Sequence, residues 1–159
     1  MGILSILVGG LGAVTRESLD GLFAYSSIGQ IGFIAISIGI AAATDSEALR
    51  QLGILAALVF AFHHALTKSL LFFSTGVIRD ATGTTQLPKL GGLGKRSPVF
   101  AGASLVGGLS LVGIPPLAGF FGKFLVFDAA GKQSTAGVPG GTAATGSAAI
   151  VFFVLFVGA

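Results

Sequence analysis

Residues 60–78 read FAFHHALTKSLLFFSTGVI. The stretch is apolar enough to lie in a lipid bilayer, yet His63, His64 and Lys68 sit near its middle. An ionised side chain at that depth costs about 2.5–3.5 kcal/mol on insertion scales, so such groups are rare and tend to mark function. His64 and Lys68 are four residues apart and therefore share one face of a helix. His63 falls about 100° round from His64, so it either points elsewhere or joins the same path as a further candidate. The face carrying His64 and Lys68 is expected to line a buried, hydrated path for protons or small cations.

Working outward, the composition fixes the class. Of 159 residues, 53% are hydrophobic and only 9% charged, with a mean hydropathy of +0.95. A soluble domain carries about 25% charged residues, and no soluble fold hides this much apolar surface. The expectation is an all-α, polytopic transmembrane helix bundle forming a single membrane domain over residues 1–159. Its 26 glycines suit helices that must approach closely without a hydrophobic force between them. With no cysteine, disulfides, iron–sulfur clusters and thiolate zinc sites are excluded. The formal charge of +3 is modest, and no basic run suggests nucleic acid.

Five apolar segments are legible. They run from Gly2 to Val14, Leu22 to Ala43, Leu52 to Ile78, Pro98 to Phe127, and Ser147 to the end. Polar residues 15–20 follow the first, and residues 79–97 form the longest polar loop. The Gly/Ser/Thr/Ala-rich stretch Gly131 to Gly146 reads as a flexible loop. MGILSILVGGLGAV has no basic leader and is short for a membrane span of about 20 residues. The last segment is also short, so the chain is expected to be a piece or a shortened form of a longer one. Arg16, Arg79, Lys89, Lys95 and Arg96 flank one side of the bundle, against Arg50 and Lys132 on the other. Basic residues in short loops stay in the cytoplasm, which puts loops 15–20 and 79–97 there.

The second segment carries Ser26, Gln30 and Ser37 on one side, with Gly29, Gly32 and Gly39 making grooves for neighbours. Its polar groups either bond to adjacent helices or hold water near His64. Around His64 and Lys68, Thr67, Ser69, Ser74 and Thr75 are candidate hydrogen-bond partners. The fourth segment would be about 45 Å long as one helix, too long for a hydrocarbon core of about 30 Å. It contains Gly113, Ile114, Pro115 and Pro116 near its centre. Two adjacent prolines remove two backbone donors and clash with the preceding turn, so the helix is expected to break there. Broken backbone at membrane depth is tolerated only when buried or lining a wet cavity, and interrupted helices point to ion sites in transporters. Lys123 follows the break, and either snorkels to the interface beside Asp128 and Lys132 or serves the same path. Histidine titrates near neutrality, so such groups bridged by water pass protons stepwise. No metal site, cofactor motif, P-loop or nucleophile elbow is present in the sequence, and no chemistry is expected in this chain.

AYSSIGQIGFI, HHALTKSLLFFSTGVI and LGGLGKRSPVFAGASLVGGLSLVGIPPLAGFFGK together resemble the antiporter-like membrane subunits of respiratory complex I. That family includes the large subunits of Mrp-type sodium/proton antiporters and of membrane-bound hydrogenases. The resemblance covers roughly residues 3 to 128, and its nearest flavour is the D subunit of the Mrp antiporters. It implies a fold of two inverted five-helix repeats, each with one broken helix, of which this chain resembles the second. By the same resemblance His64 and Lys68 match the H-A-x-x-K motif, and Lys123 the terminal lysine of the broken helix. Where the family often has another histidine, this chain has Phe60, with His63 as its extra histidine instead.

The first repeat, with its glutamate and its own broken-helix lysine, is missing. The resemblance implies partners: other membrane subunits of a multisubunit antiporter or of an NADH–quinone oxidoreductase-like complex in a prokaryotic cell membrane. Protons, and sodium as a second candidate, would be the cargo. Two other readings compete with ion translocation: a structural remnant or split half that only packs against neighbours, and a small homo-oligomeric carrier.

Overall fold

The computed structural model describes residues 1–136 of the chain. The described elements are α1 (Gly2–Val14), α2 (Leu19–Ala43), α3 (Glu47–Thr82), the single turn α4 (Leu93–Arg96), α5 (Pro98–Val112) and α6 (Ala118–Ala136). A 3-10 turn at Leu87–Lys89 lies in the loop after α3. An all-helical bundle is what an apolar chain must form, since a helix satisfies its own backbone hydrogen bonds without water. The fifth apolar segment, from Ser147, and most of the loop expected at Gly131 to Gly146 lie outside the described residues.

Three boundaries differ from the sequence expectation, each for a local reason. α2 starts at Leu19 rather than Leu22, because Ser18 caps it by accepting from the Gly21 amide at 3.3 Å, with Asp20 in the first turn. α3 has 36 residues, not about 27. Its polar entry is held by Arg50–Glu47 and Gln51–Glu47 contacts one turn apart. It continues through Arg79 and Asp80 until Gly83, at φ +73°, ends it in the left-handed conformation. α6 runs on through Gly131 to Ala136, where composition read a loop; Lys132 pairs with Asp128 at 2.8 Å across one turn.

Among the described residues, α2 and α3 are the two helices long and apolar enough to cross a membrane. At 1.5 Å per residue α3 is about 54 Å long, so its charged ends project beyond a core of about 30 Å. Leu55, Leu58, Phe62, Leu66 and Phe73, 50–76% exposed, form a stripe along it at helical spacing. α1 lies against α2, where Gly9 lets the backbones touch: a methyl there would overlap the Gly29 amide. Gly32 also packs on α1, whereas Gly39, expected to make a groove for a neighbour, meets nothing within 4 Å.

The loops after α1 and α3 are joined. The Leu19 amide donates to the Thr85 carbonyl at 3.0 Å and the Leu87 amide to Glu17 at 2.7 Å. Arg16, Arg79 and Lys89 therefore sit at one end of the bundle, as the charge count required. The core lies where α2, α3 and α6 meet. Phe33, Phe60, Leu71 and Val126 are fully buried, and Phe33 stacks on Phe60 with 5.4 Å between ring centres.

Candidate intramembrane ion path

The break in the fourth segment is where expected, between α5 and α6. Gly113 ends α5 at φ +89°, and its amide donates to the carbonyls of both Leu109 and Ser110 at 3.1 Å. A left-handed residue followed by two prolines stops the helix and leaves its last carbonyls without helical partners. One of them, on Val112, accepts from Lys123 Nζ at 2.8 Å. That carbonyl belongs to the negative end of the α5 dipole, which favours an ammonium. Lys123 is 5% exposed and lies 5.6 Å from the Phe33 ring centre. It does not snorkel to the interface; Asp128 and Lys132 pair with one another.

The turn also brings α6 against α5. A methyl at Gly119 would overlap the Ser110 carbonyl oxygen and stand 2.9 Å from His63 Cε1. With hydrogen alone at that position, the Gly119 amide donates to Ser110 Oγ at 3.4 Å. Ser110 Oγ in turn lies 2.9 Å from His63 Nε2, and Thr67 Oγ1 lies 3.0 Å from the same nitrogen. His63 is thus buried against the helix break. Of the two positions the 100° offset left open for it, His63 takes the one on the buried arc of α3, with Thr67 and Lys68 and opposite the exposed Leu/Phe stripe.

Lys68 is also buried. It donates to the Phe23 carbonyl at 2.7 Å and to Ser26 Oγ, both on α2. An open groove of about 450 Å³, lined by Lys68, Ser69, Phe72 and Phe73, runs beside it. His64 is half-buried, with no hydrogen bond to its buried Nδ1 among the described residues. The four groups form a series: His64 is one helical turn from Lys68 and adjoins His63 on α3, and His63 meets Ser110 near the end of α5, where the Val112 carbonyl holds Lys123.

Of the other polar residues expected near the path, Thr67 and Ser26 join it. Ser37, Ser69 and Thr75 donate back to the carbonyls of Phe33, Ala65 and Leu71 on their own helices. Gln30 is buried on α2 beside a cavity facing α5. Ser110 was not singled out in the sequence; its one signal is a hydroxyl three residues before the glycine that ends α5. Ser110→Ala is expected to cost about 1–3 kcal/mol, the penalty for stranding buried partners. A lower thermal midpoint in detergent, restored by Ser110→Thr, is the check; an unchanged midpoint would contradict the shared role of this hydroxyl.

The family described as NADH:quinone oxidoreductase/Mrp antiporter, TM, matches residues 1–141. Formate hydrogenlyase subunit 3 of Escherichia coli (strain K12) is 33% identical over the whole chain, which spans 29% of that protein. The D subunit of the Na(+)/H(+) antiporter of Alkalihalophilus pseudofirmus is 38% identical over 80% of the chain and 24% of its own length. Among solved structures, the Mrp complex from Dietzia sp. DQ12-45-1b superposes with a TM-score of 0.73 at 28% identity, covering 99% of this chain and 28% of that one. The chain therefore spans about a quarter of the length of these relatives.

Proposed function

The chain belongs to the NADH:quinone oxidoreductase/Mrp antiporter membrane family, and from that premise we propose that it carries the proton-handling half of an ion-translocating membrane complex. It is an integral membrane protein of that family. In the proposed role Lys68, His64, His63 and Lys123 pass protons along the bundle, with neighbouring membrane subunits as partners. Sodium is the alternative cargo of the same groups. The span of the chain suits the second of the two inverted repeats that the family resemblance implied.

The observation that carries this reading is the series itself. Four ionisable side chains follow one another from the α2–α3 contact to the break between α5 and α6. Hydroxyls and main-chain carbonyls hold His63, Lys68 and Lys123 there. Such acceptors bind an ammonium or an imidazole in either protonation state, whereas a fixed carboxylate would pin the charge. His63, Lys68 and Lys123 are 5–9% exposed, where keeping a charge without a use is costly. Loops 15–20 and 79–97 are proposed to face the cytoplasm of a prokaryotic cell, on the basic-residue count. A cysteine introduced at Lys89 and labelled only from outside would contradict that orientation.

His63→Gln tests the reading. The amide can still bond Ser110 and Thr67 but cannot take up and release a proton. In everted vesicles holding the assembled complex, flux is expected to fall by about twofold, below the 10²-fold or more of an essential proton-transfer group. Assembly is expected to be normal. A variant that loses assembly but not flux per complex would instead make the chain a structural remnant.

A further inference from the structure

Gln30 is 6% exposed. It lines a cavity of about 190 Å³ bounded by Gly10, Ser26 and Gly29 on one side and by Leu111 and Val112, the last turn of α5, on the other. Buried polar groups in roomy sites are generally met by water. A cavity of this size holds several water molecules, at about 30 Å³ of liquid volume each. Two of its lining residues also touch the lysines of the path. Ser26 Oγ accepts from Lys68, and the Val112 carbonyl accepts from Lys123 at 2.8 Å.

We propose that this cavity holds a water cluster anchored by Gln30, and that the cluster joins Lys68 to Lys123 by a second route that bypasses both histidines. The proposal rests on the proton path already described. It adds a parallel connection: from Lys68 through the Ser26 hydroxyl into the water, and from the water to the lysine bonded at the end of α5. Gln30 is a positioning residue here, because its amide orders water and exchanges no proton with the chain. The α2 side of the cavity owes its room to Gly29, which brings no side chain into it, and Ser26 stands one turn before Gln30 on the same face.

Parallel routes have a signature that serial ones lack. In vesicles containing the full complex, Gln30→Leu alone is expected to lower flux about twofold, as His63→Gln does alone. Each leaves the other route open. The double variant is expected to lower flux by at least tenfold more than the product of the two single effects. A double effect equal to the product, or no greater than one single effect, would overturn the proposal. Lys123→Gln stays as the control: flux unchanged there would fell the path itself, whereas flux lost there with Gln30→Leu silent would fell only the cavity route.

Radiolytic hydroxyl labelling of the complex gives a readout independent of transport. Leu111 is expected to be labelled in the wild type and protected at least about fivefold in Gln30→Leu, because bound water generates the radicals locally. Gln30→Asn, which keeps an amide, is expected to restore both labelling and flux. Equal labelling in wild type and Gln30→Leu would show that no Gln30-dependent water is present.

Discussion

Lys123→Gln is expected to lower ion flux through the assembled complex by at least about 100-fold, the scale of a lost proton-transfer group. Folding and insertion should survive. Glutamine reaches toward the Val112 carbonyl with an N–H donor and leaves no charge buried. The wild-type ammonium is 5% exposed and held by the open end of α5, so removing its charge lifts a cost rather than a support. The expected pattern is therefore activity lost and thermal stability equal or higher. A residue kept only for packing gives the reverse. Flux and thermal midpoint measured on the same preparation separate the two, and flux within twofold of wild type would contradict the role given to Lys123.

Lys68→Gln is expected to have an effect of the same order, about 100-fold. Lys68 sits where the histidine series and the Gln30 cavity both begin, through its bond to Ser26 and its place one helical turn from His64. Its loss closes both routes, whereas His63→Gln closes one. The ranking is the informative part: the two lysines large, His63 and Gln30 small singly and large together. The Phe23 carbonyl and Ser26 hydroxyl can both bond the glutamine amide, so the α2–α3 contact should hold. If Lys68→Gln reduced flux no more than His63→Gln, Lys68 would not be a common end of the two routes.

Much of this arrangement was legible in the sequence. The apolar segments, the break at Gly113–Pro116 and the burial of charge at Lys68 follow from composition and from the stereochemistry of glycine and proline, whereas Lys123 stood between the interface and the path. The helix ends were less legible, because Ser18, Glu47 and Asp128 extend helices through polar residues that composition assigns to loops. The histidines show a different limit. Spacing placed His64 with Lys68, and the resemblance favoured His64, yet His63 holds the hydroxyls of Thr67 and Ser110. Which of two adjacent residues faces the break depends on how α3 is rotated against α5 and α6. That rotation is set by the approach of Gly119 to Ser110 and by the Phe33–Phe60 stack, contacts between residues far apart in the chain. Phe60, where the resembled family often has a histidine, instead packs its ring beneath Gly122.

The central claim is that charged groups are kept at membrane depth because water and protons reach them there. Magnetisation transfer from bulk water to Lys123 Nζ and His63 Nε2, measured by solid-state NMR on the complex in bilayers, tests it directly. Transfer to both sites as efficient as to the exposed Lys89 amine is the expected result. Transfer to Lys89 with none to Lys123 or His63 would mean that these side chains are dry, and no ion path could run through them.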